Sequence, residues 1–204
     1  MDDAAVAAMN PPRRRGWAIV LSVMSIVMYV ALLRGINVGG KNLVPMNDLK
    51  AVVAGLGHRD VSTYIASGNV VFTSARGDEA AIAAGVEAGI KKAFGLSIPV
   101  VLRTHDELAV VAAHNPFPGE DLARLYVTFL GRPPTGRALT RLDPTRSAPD
   151  EYAVRGRDIY LNLPAGFGKT ALTADYFQKC LGTTATTRNW NTVRRLVELS
   201  RPRC

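Results

Sequence analysis

The sequence predicts an α+β fold of two ferredoxin-like (βαββαβ-type) subdomains with an extra C-terminal helix, and three observations carry that expectation. Strand and helix signals follow the order βαββαβ from Tyr29 to Arg103. A weaker echo of that order runs from residue 123 to the end. Tight turns, at Ser67, Gly68 and Asn69 and again at Arg155, Gly156 and Arg157, join neighbouring strands in both parts. The expected boundaries are an N-terminal extension over 1–27, disordered or helical, a first subdomain over 28–103, a linker over 104–122, and a second α+β subdomain with the terminal helix over 123–204.

Each element has its own signal. YVALLRGI, from Tyr29, is an apolar strand. Pro45 is placed to open a helix whose stripe is Met46, Leu49, Val52, Val53 and Leu56, with Gly57 as the stop. DVSTYIAS and NVVFTS flank Gly68 as a hairpin. Residues 78–94 carry Ile82, Val86, Ile90 and Phe94 at a spacing of four, the mark of an amphipathic helix. IPVVLR sets Ile98, Val100 and Leu102 against Pro99, Val101 and Arg103, which suits an edge strand that tolerates proline. THDELAVVAAHN adds a short helix in the linker before Pro116 and Pro118 break it. The second part reads as a strand over 124–130, a Pro-rich passage, strands over 151–155 and 158–163, and helices over 173–181 and 190–200.

Composition narrows the class. With 48% hydrophobic and 21% charged residues the chain is globular, and a formal net charge of +8 favours anionic partners at long range. Cys180 and Cys204 form neither a disulfide framework nor a metal spacing, so a reducing cytoplasm is the simplest setting. Residues 1–16 end in Arg13, Arg14 and Arg15, and an apolar run follows from Trp17 to Leu33. That run has two readings: a signal or membrane anchor, or an extension whose last part is the first strand. Met28 directly precedes Tyr29, and we expect residues 1–27 to be an upstream extension.

The polar residues gather where the first strand ends. RGINVGGKN places Arg34, Asn37, Lys41 and Asn42 among Gly35, Gly39 and Gly40. In a βαββαβ unit the end of the first strand and the turn between the second and third strands lie on one sheet edge, so these residues approach Ser67 and Asn69. Glycines at 35, 39, 40 and 68 permit positive φ and exposed N–H groups, as in an anion nest. The alternative is ordinary turn chemistry with Arg34 and Lys41 solvated.

YVALLRGINVGGKNLVPM, TYIASGNVVF and ALTADYFQKCLGTTATTRNWNTVRRLVEL together resemble domain-of-unknown-function family 1697, a bacterial family. The resemblance runs from Met28 to about Leu199 and leaves out residues 1–27. It implies a two-part α+β fold related to the ferredoxin-like arrangement, and it implies no particular reaction.

Two further motifs bear on anions. GFGKT follows a strand and precedes a helix, but Leu163 stands where a Walker loop needs glycine, which leaves looser phosphate contact through Lys169 or a plain glycine turn. TTRNWNTV puts Thr187 or Asn189 at the start of the last helix, with Arg188 beside it and Trp190 inward. His58, His105 and His114 lack metal-ligand spacing, and Tyr64 and Asp175 read better as packed or capping residues than as catalytic groups. The ligand-binding candidates are therefore Arg34, Asn37, Gly39, Gly40, Lys41, Asn42, Ser67, Asn69, Lys169, Arg188 and Asn189, with no catalytic residue, metal or cofactor assigned. The expected partner is a small anionic, phosphorylated ligand in the cytoplasm. A nucleic-acid-binding module is the alternative, and a membrane tether through residues 17–33 is the third reading.

Overall fold

The computed structural model describes residues 26–75 and 77–202. Within them the chain runs β1 (Ile26–Leu33), α1 (Met46–Gly55), β2 (Arg59–Tyr64), β3 (Asn69–Ala75), α2 (Glu79–Phe94), β4 (Val100–Thr104) and α3 (His105–Ala113). It continues β5 (Leu125–Leu130), α4 (Gly136–Leu139), β6 (Glu151–Arg155), β7 (Asp158–Asn162), α5 (Ala174–Leu181), β8 (Ala185–Asn189) and α6 (Trp190–Leu199). Two four-stranded antiparallel sheets result, ordered β2-β3-β1-β4 and β6-β7-β5-β8. The fold is α+β, and the same order βαββαβα occurs twice.

The layers follow from which side chains each strand turns to which face. Tyr29, Ala31 and Leu33 pack with Val70, Phe72, Leu49, Val86 and Ile90 under α1 and α2. Val30 and Leu32 face the other way and meet Val127, Phe129 and Tyr160 of the second sheet, with Leu108 and Val111 of α3 and Trp190, Val193 and Leu196 of α6. A third cluster joins Leu130, Ile159 and Leu161 to Phe177 and Leu181 of α5. Both faces of β1 are covered, which explains its unbroken apolar run.

Three sequence expectations change at their edges. Pairing of Ile26 with Ala75 and of Val27 with Ser74 takes β1 two residues into the expected extension, because the antiparallel ladder continues past Tyr29. The extension's residues 1–25 lie outside the described residues, as does Cys204. The 104–122 segment holds α3, which a capping box of Thr104 and Glu107 starts and which adds Leu108 and Val111 to the central cluster. In the second part a further strand, β8, stands where a helix start was expected, and Asn189 at its end caps α6 by accepting from Thr192 N–H at 2.8 Å. Among the described residues no helix is long and apolar enough to cross a membrane, and residues 26–33 of the apolar run are strand.

Candidate functional site at the rim of the first sheet

The end of β1 is pinned on both sides. Leu33 N–H donates to Gly68 O at 2.8 Å, and Arg34 N–H donates to Pro99 O at 3.0 Å. The chain then turns through Asn37 and Asn42, at φ 54° and 49°, in the left-handed region that Asn tolerates better than most residues. Asn37 Nδ2 donates to Val44 O and to Ala66 O, each at 2.9 Å, while its Oδ1 accepts from Val44 N–H at 2.8 Å. Asn42 Nδ2 donates to Gly35 O at 2.9 Å. Both Asn side chains thus brace the loop, and Asn37 also ties it to the hairpin at Ala66.

What the loop offers outward is its tip. Val38, Gly39, Gly40 and Lys41 are exposed. Among the described residues no protein acceptor takes the Gly39 or Gly40 N–H, and no carboxylate pairs with Lys41.

The hairpin between β2 and β3 meets this loop, as the topology implied. Gly68 sits at φ 83°, and a Cβ there would lie 2.8 Å from both Ile36 Cδ1 and Leu33 Cβ, so only glycine lets the hairpin seat against the end of β1. Ile65 holds φ 47°, a strained value for a β-branched residue. Asn69 is fully buried; its Nδ2 donates to Tyr64 O at 3.0 Å and to Ser67 Oγ at 3.3 Å.

Arg188 completes the frame from the second half. Its Nε donates to Asn69 Oδ1 at 2.6 Å, and one terminal nitrogen donates to Leu33 O, Gly68 O and Ser67 O at 2.7, 3.0 and 3.2 Å. The other reaches Thr186 Oγ1 and Thr187 O, each at 2.9 Å. Burial pushes this guanidinium down to about 10, which leaves it charged at neutral pH.

Arg103 makes the same contact in reverse. Its guanidinium donates to Asp158 Oδ1, to Leu130 O at 3.0 Å and to Arg157 O at 2.8 Å, and it lies over the Phe129 ring. The last strand of each half therefore sends an arginine into the corner of the other, where the first strand ends and the hairpin turns. The main-chain pins repeat as well: Leu130 N–H donates to Arg157 O, and Gly131 N–H to Thr184 O. The corners differ in charge, because Asp158 stands where the first half has Asn69. Burial pushes the Asp158 carboxyl up in spite of the adjacent arginine, and burial pushes Arg103 down.

The remaining candidates divide. Arg34 turns across to α5, where its terminal nitrogens donate to Gln178 Oε1 and Asp175 Oδ1. Asn189 is the cap of α6. Lys169 is exposed on a short 3-10 turn over Phe167–Lys169, and Phe167 stacks on Tyr126 near the start of β5, whereas the rim meets Thr186 of β8, which pairs with Phe129 near the other end of β5. Lys169 is accordingly not brought to the rim. Sequence reasoning missed Gln178, Thr183, Thr184 and Arg132, which line a cleft beside Arg34; single polar residues in helix ends and loops carry no spacing that marks them.

The model of the family described as "Protein of unknown function (DUF1697)" matches residues 26–160. This chain belongs to that family. The DUF1697 match takes in the first half and the Arg103 corner and ends before Arg188, so it is shorter than the stretch to Leu199 that carries the resemblance. No curated protein matches the chain. A solved structure, the conserved bacterial protein SP0830 from Streptococcus pneumoniae, is similar with a TM-score of 0.67 and 23% identity, covering 87% of this chain and 100% of that one. At that identity the likeness shows the fold alone.

Proposed function

We propose that this DUF1697 protein is a cytoplasmic binder of a small anionic, phosphate-bearing ligand, which it takes on the rim formed by the 34–43 loop and the Ser67–Asn69 hairpin. The observation that carries this reading is the division of labour inside the loop. Asn37 and Asn42 spend their amides on main-chain groups, so the tip is held with the Gly39 and Gly40 amides unused and with a Lys41 ammonium that has no carboxylate partner among the described residues. Ser67, Asn69 and Arg188 act as the frame that fixes the rim, and Arg34 supplies a second cation next to it. The summed positive charge draws anions toward the molecule.

Nucleic-acid binding through a sheet face is less well supported. The inner faces of both sheets are buried against each other and against α3 and α6, so their residues offer no open platform for stacking bases.

A thermal-shift screen of phosphorylated metabolites at low salt tests the reading. We expect a subset of phosphorylated compounds to raise the melting temperature, and both Lys41→Ala and Arg34→Ala to remove the rise. Hits that keep their full effect in both variants would sink it.

A further inference from the structure

Beside Arg34 lies a cleft of about 540 Å³ between the halves, within the size range of small-ligand pockets. Ala84 and Glu87 of α2 form one wall, and Arg132, Thr183, Thr184 and Gln178 the other. Gln178 is also the residue that accepts from Arg34. The carboxylate of Glu87 is committed to the main chain, accepting from Val100 N–H at 2.8 Å. Arg132 uses its main-chain N–H on Thr183 Oγ1 at 3.0 Å, while its guanidinium has no carboxylate partner among the described residues. One cation, Arg132, therefore lines a hollow whose one carboxylate is already engaged, and a second, Arg34, reaches its edge through Gln178.

The pair between Arg34 and Asp175 is lopsided. The Arg34 side chain is 18% exposed and held by a second acceptor, whereas Asp175 is 87% exposed. An ion pair with so exposed a carboxylate stabilises little, and its carboxylate is easily exchanged for another anion. Resting on the reading above, we propose that the cleft takes a further anionic group of the ligand held at the rim, and that it does so by taking Arg34 from Asp175, whose carboxylate occupies the guanidinium in the meantime. The ligand class is a phosphate or pyrophosphate group bridged by Arg34 and Arg132, with the hydroxyls of Thr183 and Thr184 and the amide of Gln178 as neutral partners.

Calorimetric titration of the full chain with pyrophosphate at low salt tests the exchange. Asp175→Asn removes the competitor and is expected to tighten binding about threefold to fivefold. Glu120→Gln, which removes the same charge elsewhere on the surface, is expected to leave the affinity as it is. Arg34→Gln is expected to lose binding. Ala84→Trp fills the cleft from an exposed helix position and is expected to weaken binding at least tenfold without lowering the melting temperature. Equal affinity in the wild type, Asp175→Asn and Ala84→Trp, with binding still lost in Lys41→Ala, overturns the cleft and leaves the rim. Absence of pyrophosphate binding in every variant, the wild type included, overturns both.

Discussion

Arg188 is a buried cation whose hydrogen bonds all go to neutral oxygens, on Asn69, Leu33, Ser67, Gly68, Thr186 and Thr187. Among the described residues no carboxylate offsets its desolvation, so the contact holds together through geometry: one planar fork spans two carbonyl-lined turns and one amide. Arg188→Met fills similar volume but orphans those acceptors, and we expect it to cost about 3–5 kcal/mol in urea unfolding. Arg188→Lys should recover little of the loss, since a single ammonium does not reproduce the fork. A loss under about 1 kcal/mol for Arg188→Met would show that the rim does not depend on this residue. Gly68 carries the other sharp requirement. Gly68→Ala combines a left-handed φ of 83° with Cβ contacts of 2.8 Å, and its expected cost is about 2–5 kcal/mol by the same measurement.

At the scale of elements, α3 ties the halves together through Glu107. The carboxylate caps its own helix by accepting from Thr104 N–H at 2.9 Å, and it also accepts from Arg157 of the second half. Burial pushes Glu107 up, but the Thr104 N–H and the Arg157 guanidinium outweigh it, and the net shift is downward. A carboxyl depressed in the folded state stabilises above its unfolded pKa, and that contribution fades as pH falls through the folded value. Wild type should therefore be more stable than Glu107→Gln at pH 7, and the margin should shrink once pH drops below about 4.5, the ordinary value. A margin that grows on acidification would contradict the assignment.

Local signals in the sequence reached this far and no further. The Ser67–Asn69 hairpin and the first helix were legible because turn residues and a 3.6-residue stripe are short-range. Arg103 and β8 were not. IPVVLR alternates correctly, yet its polar-looking face is an interior face, since the second sheet covers it and buries Arg103. ATTRN gives a strand by pairing with β5, and its alternation of small polar residues looks like a helix start when the partner strand is unseen. The gathering of the loop and hairpin at one rim was legible from topology. The tie from Asn37 to Ala66 and the embrace of Asn69 by Arg188 were not, because both depend on contacts far along the chain.

For the whole molecule, two like halves share the central cluster and exchange an arginine at each other's corner, so the rim of the first half is built partly by the second. A ligand that binds the rim therefore acts on a frame that spans both. The most direct test is an amide-resolved NMR titration of the full chain with pyrophosphate at low salt. The Gly39, Gly40 and Lys41 amides are expected to shift in a saturable way, together with the Gln178 side-chain amide. Saturation with those four resonances unmoved would contradict binding at the rim.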